Sequence, residues 1–138
     1  EAFDPSEVWF LEDQAAALQS AIDLYRACGE DKYIERAVEL ADRLISQFAG
    51  VSGSCVDRVP DGTPLRSLDR LLPGPDVMAA RALALLAEEG GNARHLDAAR
   101  GLLVHRARYR SLQPAREAGF GRALQAWMRA QTTFDAQN

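Results

Sequence analysis

Lysine is all but absent from this chain. Lys32 is the only one in 138 residues, and arginine carries the rest of the positive side-chain charge. Such usage reads as the mark of a GC-rich genome rather than of a function. Cysteine is nearly as scarce. Cys28 and Cys55 are 27 positions apart with no C-x-x-C spacing, which excludes the motif signatures of a dithiol redox pair and of a zinc site. Cys28, near the end of an expected helix, reads as a small buried hydrophobe, and a reducing, cytoplasmic compartment fits the shortage of thiols. Histidine is limited to His95 and His105, which share one expected helix. About 15 Å of helix rise separates them, so they cannot share a metal ion. No apolar run approaches the length of a membrane span, so none is expected. The chain opens on Glu1 rather than Met and shows no basic segment leading into an apolar one. A secretion signal is therefore not expected, and excision from something longer is. A serine, histidine and acid trio, a glycine-rich phosphate loop and a metal-ligand cluster are also lacking. The expectation is no cofactor, no metal and no catalysis within this chain.

What is present is alanine, leucine and helical periodicity. A 47% hydrophobic content over 138 residues suits one all-helical domain with its own core. Leu11, Ala15, Leu18, Ile22 and Tyr25 recur at three- and four-residue steps and predict a first helix from Leu11 to Cys28, stopped by Gly29. Trp9 and Phe10 read as a lead-in packed over its start. A second helix, Asp31 to Phe48, buries Ile34, Ala37, Val38, Ala41, Leu44, Ile45 and Phe48 and turns Glu35, Arg36, Glu39, Asp42 and Arg43 to solvent. The third, Asp76 to Glu89, is apolar nearly all round and should be an inner helix. The fourth, Ala93 to Tyr109, points Leu96, Ala99, Leu102, Leu103 and Ala107 inward. The fifth, Ala115 to Ala130, uses Phe120, Leu124, Trp127 and Met128, with Pro114 in its first turn. Residues 131–138 carry no apolar pattern and are expected to fray.

An internal repeat links these helices. At an offset of 62, Gly29-Glu-Asp-Lys-Tyr-Ile-Glu-Arg-Ala37 lies over Gly91-Asn-Ala-Arg-His-Leu-Asp-Ala-Ala99, with Leu40 over Leu102. Two helical hairpins on one plan, neither able to bury its face alone, point to a stacked toroid or solenoid, with a simple bundle as runner-up. His95 takes the repeat position of Tyr33 and so reads as a packing residue.

The segments Leu11-Glu-Asp-Gln-Ala-Ala-Ala-Leu18 and Leu24-Tyr-Arg-Ala-Cys-Gly-Glu-Asp-Lys-Tyr-Ile-Glu-Arg-Ala-Val-Glu-Leu-Ala-Asp-Arg-Leu44 resemble the helical region of the thioredoxin-domain-containing, spermatogenesis-associated protein 20-like family. The likeness runs from about residue 11 to 130 in the order of segments. It implies part of an α/α toroid of the six-hairpin type, similar to the toroids of N-acylglucosamine 2-epimerases and some glycoside hydrolases, and a thioredoxin-like domain N-terminal to it as partner. Where that family has a glycine pair, two aromatics and an aspartate, this chain has Gly53-Ser-Cys-Val-Asp57, keeping the aspartate and losing the aromatics. Where the family has an aspartate and then Pro-Ser-Gly-Asn, this chain has Asp69 and Pro73-Gly-Pro-Asp76. The resemblance thus implies a site worn down in this chain.

That stretch, residues 53–76, holds four of the six prolines and the candidate chemistry. Asp57 and Asp69 are the candidate catalytic carboxylates, since paired acids bordering a toroid cavity could work on a sugar. Arg66, Arg70 and Asp76 are the candidate ligand-binding residues. Against this, aspartates are at home in turns and caps: Asp61-Gly62 is a turn pair and Asp76 an N-cap. The charge is lopsided, with eleven acids and four bases in residues 1–50 but two acids and eight arginines in 94–129. The cluster Arg100, His105, Arg106, Arg108, Arg110 and Arg116 would suit phosphate or an acidic partner, yet lacks the interleaved aromatics of a single-strand binder, so nucleic acid is not expected. Three functions follow in order: a non-catalytic toroid module, structural or ligand-binding; a carbohydrate epimerase, isomerase or hydrolase-like domain; and an arginine-mediated interaction module. Open apolar faces of a partial toroid should either self-associate or close on themselves.

Overall fold

The computed structural model describes residues 10–48, 74–90, 92–108 and 114–137, without the side chains of 114–116. Five helices make up these segments: α1 (Leu11–Cys28), α2 (Asp31–Phe48), α3 (Pro75–Glu88), α4 (Ala93–Ala107) and α5 (Pro114–Gln137). The described residues are therefore all-α, as the periodicity predicts.

Each boundary has a local cause. Glu12 and Asp13 in the first turn of α1 and Arg26 in its last complement the helix dipole. Gly29 then adopts φ 70°, a left-handed conformation that glycine enters without steric cost, and its N–H donates to the Tyr25 carbonyl at 2.7 Å. The repeat pairs Gly29 with Gly91, which lies outside the described residues; in the second hairpin Gly90 has a positive φ of 102°. Asn92 caps α4, its side chain accepting from the His95 N–H at 3.3 Å. Pro114 opens α5, where its missing N–H costs no helical hydrogen bond.

α3 is the inner helix its composition demands. Val77, Ala79, Ala80 and every residue from Ala82 to Ala87 are buried, and it packs against α1, α4 and α5 and more lightly against α2. The direction of packing follows from residue pairs. Gln19 meets Arg81 and Arg26 meets Glu88, both 62 positions apart, so α1 and α3 run parallel and in register. A Cβ added at Gly119 would lie 3.7 Å from Val77 Cγ1, and Arg129 binds Glu88, so α5 is parallel to α3 on its other side. α1, α3 and α5 thus form one row, and α2 and α4 return behind it. Leu18, Ile22, Leu44, Phe48, Leu83 and Leu86, all below 2% exposed, fill the space between. Burying each such side chain contributes about 1.5–3 kcal/mol.

Several expectations fail in informative ways. The fifth helix does not end at Ala130. α5 continues to Gln137, with Phe134 packed on a small cluster of Ala87, Leu96, Ala130 and Trp127. The inward face of α5 is Phe120, Ala123, Ala126 and Ala130, whereas Leu124 and Met128 are exposed. Alanine lets α5 approach α3 closely, and hydrophobicity alone does not select such a face. Cys28 is exposed, not buried, and its thiol donates to the Leu24 carbonyl at 3.0 Å. Phe10 is also exposed, as the extended residue that precedes α1. Asp42 is not a mere solvent-facing acid, because it ties α2 to α4.

Candidate functional site

Of the five site residues read from the sequence, the structure describes one. Asp57, Arg66, Asp69 and Arg70 lie outside the described residues. Asp76 sits in the first turn of α3, but Gly74, not Asp76, is the N-cap. Its carboxylate folds back over the helix start, where Oδ1 accepts from the Val77 N–H at 2.9 Å. A Cβ at position 74 would collide with that oxygen, so the Asp76 carboxylate would have to swing aside to admit one. The carboxylate is thereby engaged by its own helix, in the role an acid plays near a positive dipole end.

The same end of the molecule holds two polar groups that the apolar pattern does not reveal. Because α1 and α2 are antiparallel and α1 and α3 parallel, the start of α1, the end of α2 and the start of α3 lie together. Gln14 is buried in α1 and Gln47 half-buried in α2, and the Oε1 atoms of both are buried without a hydrogen-bond partner. An unpaired buried acceptor costs about 1–3 kcal/mol relative to a satisfied one. Gln14 was legible in principle: it holds a core-facing step between Leu11 and Leu18.

A second polar constellation joins the two hairpins from behind. His95 is fully buried on α4, and its Nε2 lies 3.3 Å from Asp42 Oδ1 on α2. The same oxygen accepts from Arg94 Nη1 at 3.0 Å. A carboxylate only accepts, so Nε2 is the donor in this contact, and Nδ1 is buried with no partner. The His95 ring is shut away from solvent while Asp42 and Arg94 are about half exposed, and the set clamps α2 to α4. His95 is thus the packing residue that its repeat position indicates.

The third polar set crosses the row of parallel helices. Arg26 of α1 binds Glu88 and Glu89, and Arg129 of α5 binds Glu88 from the other side at 3.1 Å. Two arginines and two carboxylates balance in charge, and the partly exposed pairs are each worth less than about 1 kcal/mol. Among the described residues no three metal-ligating side chains converge. Of the arginine cluster read from the sequence, Arg110 and the side chain of Arg116 lie outside the described residues, and the described arginines do not share one direction. At about 100° per residue, Arg100, Arg106 and Arg108 radiate in three directions around the helix and its C-cap. His105 and Arg106 in the last turn suit the negative dipole end.

No described helix is long and apolar enough to cross a membrane. No protein-family model, curated protein or solved structure matches the chain.

Proposed function

We propose that this chain is a non-catalytic module of stacked helical hairpins, of the α/α-toroid kind its resemblance implies, serving as structure or holding a ligand at the end where α2 finishes and α3 begins. The observation that carries this reading is the in-register pairing of α1 with α3, residue i meeting residue i+62 at Gln19–Arg81 and Arg26–Glu88. Such pairing is what stacked repeats of one plan produce. The engagement of Asp76 with its own helix start gives this candidate ligand-binding residue a structural use.

A carbohydrate-active enzyme is the second reading, favoured by the two bare amide oxygens of Gln14 and Gln47. Buried acceptors of that kind are matched by hydroxyl donors, which sugars supply in number. The test is calorimetric titration with a panel of monosaccharides and N-acylated sugars, followed by NMR of the same mixtures for epimerised or hydrolysed product. The module reading expects binding or no binding, but no product. Product formation that disappears in Asp57→Asn and Asp69→Asn would replace it with the enzyme reading.

A further inference from the structure

The two-residue turn between α1 and α2 sets the register of their hairpin. The pairs it places level, Leu11 with Phe48, Ala15 with Leu44, Leu18 with Ala41 and Ile22 with Ala37, are all buried. In this register Gln47 stands level with Glu12, about 3 Å along the axis from Gln14. Gln14 lies about 40° around α1 from the core residue Leu18, and about 120–140° from Gln19 and Arg26, which bind α3. Gln47 lies about 60° around α2 from the core residue Leu44, and about 140° from Asp42, which binds α4. Each glutamine is thus turned toward the other helix of its own hairpin. Helical side chains lean toward the N-terminus, so in antiparallel helices these two lean toward one another.

Convergence does not satisfy them. Gln14 is 7% exposed, and its Oε1 and that of Gln47 are buried with no hydrogen-bond partner. Their helical neighbours are apolar: Leu11, Ala15 and Leu18 beside Gln14, and Leu44 and Phe48 beside Gln47. The chemistry of the pair is selective. An amide oxygen only accepts, so an anion brings it nothing, and apolar walls leave a buried cation without a counter-charge. A neutral group that donates two hydrogens is what remains. A primary amide would pair cyclically with one glutamine and leave the other bare. Two adjacent hydroxyls serve both, and their oxygens also accept from the glutamine Nε2 groups.

We infer that Gln14 and Gln47 form a binding site for a neutral vicinal diol, one hydroxyl donating to each Oε1 and the carbon framework resting on the apolar walls of the α1–α2 seam. This site deepens the ligand-holding branch of the module reading and rests on it. It places recognition in the first hairpin, on residues that carry no charge and that the loop aspartates do not supply. Gln14 occupies the position 62 residues before Asp76, so the site belongs to the same end of the molecule as the start of α3. A small diol of about eight non-hydrogen atoms held by two hydrogen bonds binds weakly, with a dissociation constant on the order of 1–30 mM.

NMR titration of the whole chain with trans-1,2-cyclohexanediol tests it, with trans-1,2-dimethoxycyclohexane as the matched compound that accepts but cannot donate. The side-chain amide signals of Gln14 and Gln47, assigned by their loss in Gln14→Met and Gln47→Met, should shift with the diol and saturate in the millimolar range. The dimethyl ether should leave them in place. Each variant should weaken diol binding at least about tenfold, followed through the backbone amides of Leu11, Leu44 and Phe48, and thermal denaturation should show that both stay folded. Absence of any shift up to about 100 mM diol would overturn the site and leave the module reading as structure alone. Equal shifts with the ether, binding kept in both variants, or stronger binding of cyclohexylamine or cyclohexanecarboxamide would also overturn it. Sugar turnover, by contrast, would overturn the module reading and leave the diol titration to decide this site by itself.

Discussion

The Asp42–His95–Arg94 clamp is where single atoms carry the most structural weight. His95 contributes a buried ring with one hydrogen bond and one unpaired nitrogen, so its removal costs packing as well as the link to α2. His95→Ala is expected to lower stability by about 2–4 kcal/mol, a cavity-forming change. A double-mutant cycle with Asp42→Ala should show a coupling of at least about 0.5 kcal/mol by urea denaturation. Gln14 gives the opposite sign. Replacing it with Met removes an unsatisfied buried acceptor at similar volume and should stabilise the free protein by about 1 kcal/mol. If Gln14 holds a hydroxylated ligand, the same variant loses calorimetric binding. Gly29→Ala forces a Cβ into the left-handed region and should cost about 1–2 kcal/mol in thermal denaturation. At this scale the sequence was legible where a residue type has one use, as with Gly29 and Pro114. It was not legible for Asp42, because a helical wheel places an acid outside but does not say that a neighbouring helix will come to meet it.

Among the elements, α5 departs furthest from its sequence reading. Its periodic Leu124, Trp127 and Met128 suggest one face, yet it packs through alanines that a hydrophobicity ranking undervalues. Close approach to the alanine-rich α3 explains the choice, since small residues let backbones come together and Trp127 then fits at the margin, donating to the Leu96 carbonyl at 3.3 Å. Ala126→Leu should therefore overpack the joint and cost about 1–3 kcal/mol, while Leu124→Ala should change monomer stability by less than about 0.5 kcal/mol. The last turns of α5 obey the same logic. Phe134 alone anchors residues whose pattern looks like a tail, and Phe134→Ala should cost about 1–2 kcal/mol and increase amide exchange beyond Ala130. The sequence missed this turn because one aromatic contact is too sparse to register as periodicity.

For the whole molecule, the repeat offset of 62 is the informative quantity, since the same interval relates positions in sequence and atoms in space. The Arg26–Glu88–Arg129 bridge across the row is exposed enough that Arg129→Ala should shift stability by no more than about 1 kcal/mol, and less in high salt. Helix number, the starts of α1, α2 and α4 and the inner status of α3 were determined by the sequence itself, because periodicity, glycine stops and an all-apolar face are local consequences of residue type. The direction of each neighbour was decided only by the tertiary structure. Whether α5 turns alanine or leucine inward, whether Asp42 meets water alone or His95 as well, and which faces of the row stay exposed all depend on how closely two helices approach. That distance belongs to the pair, and neither sequence segment contains it alone.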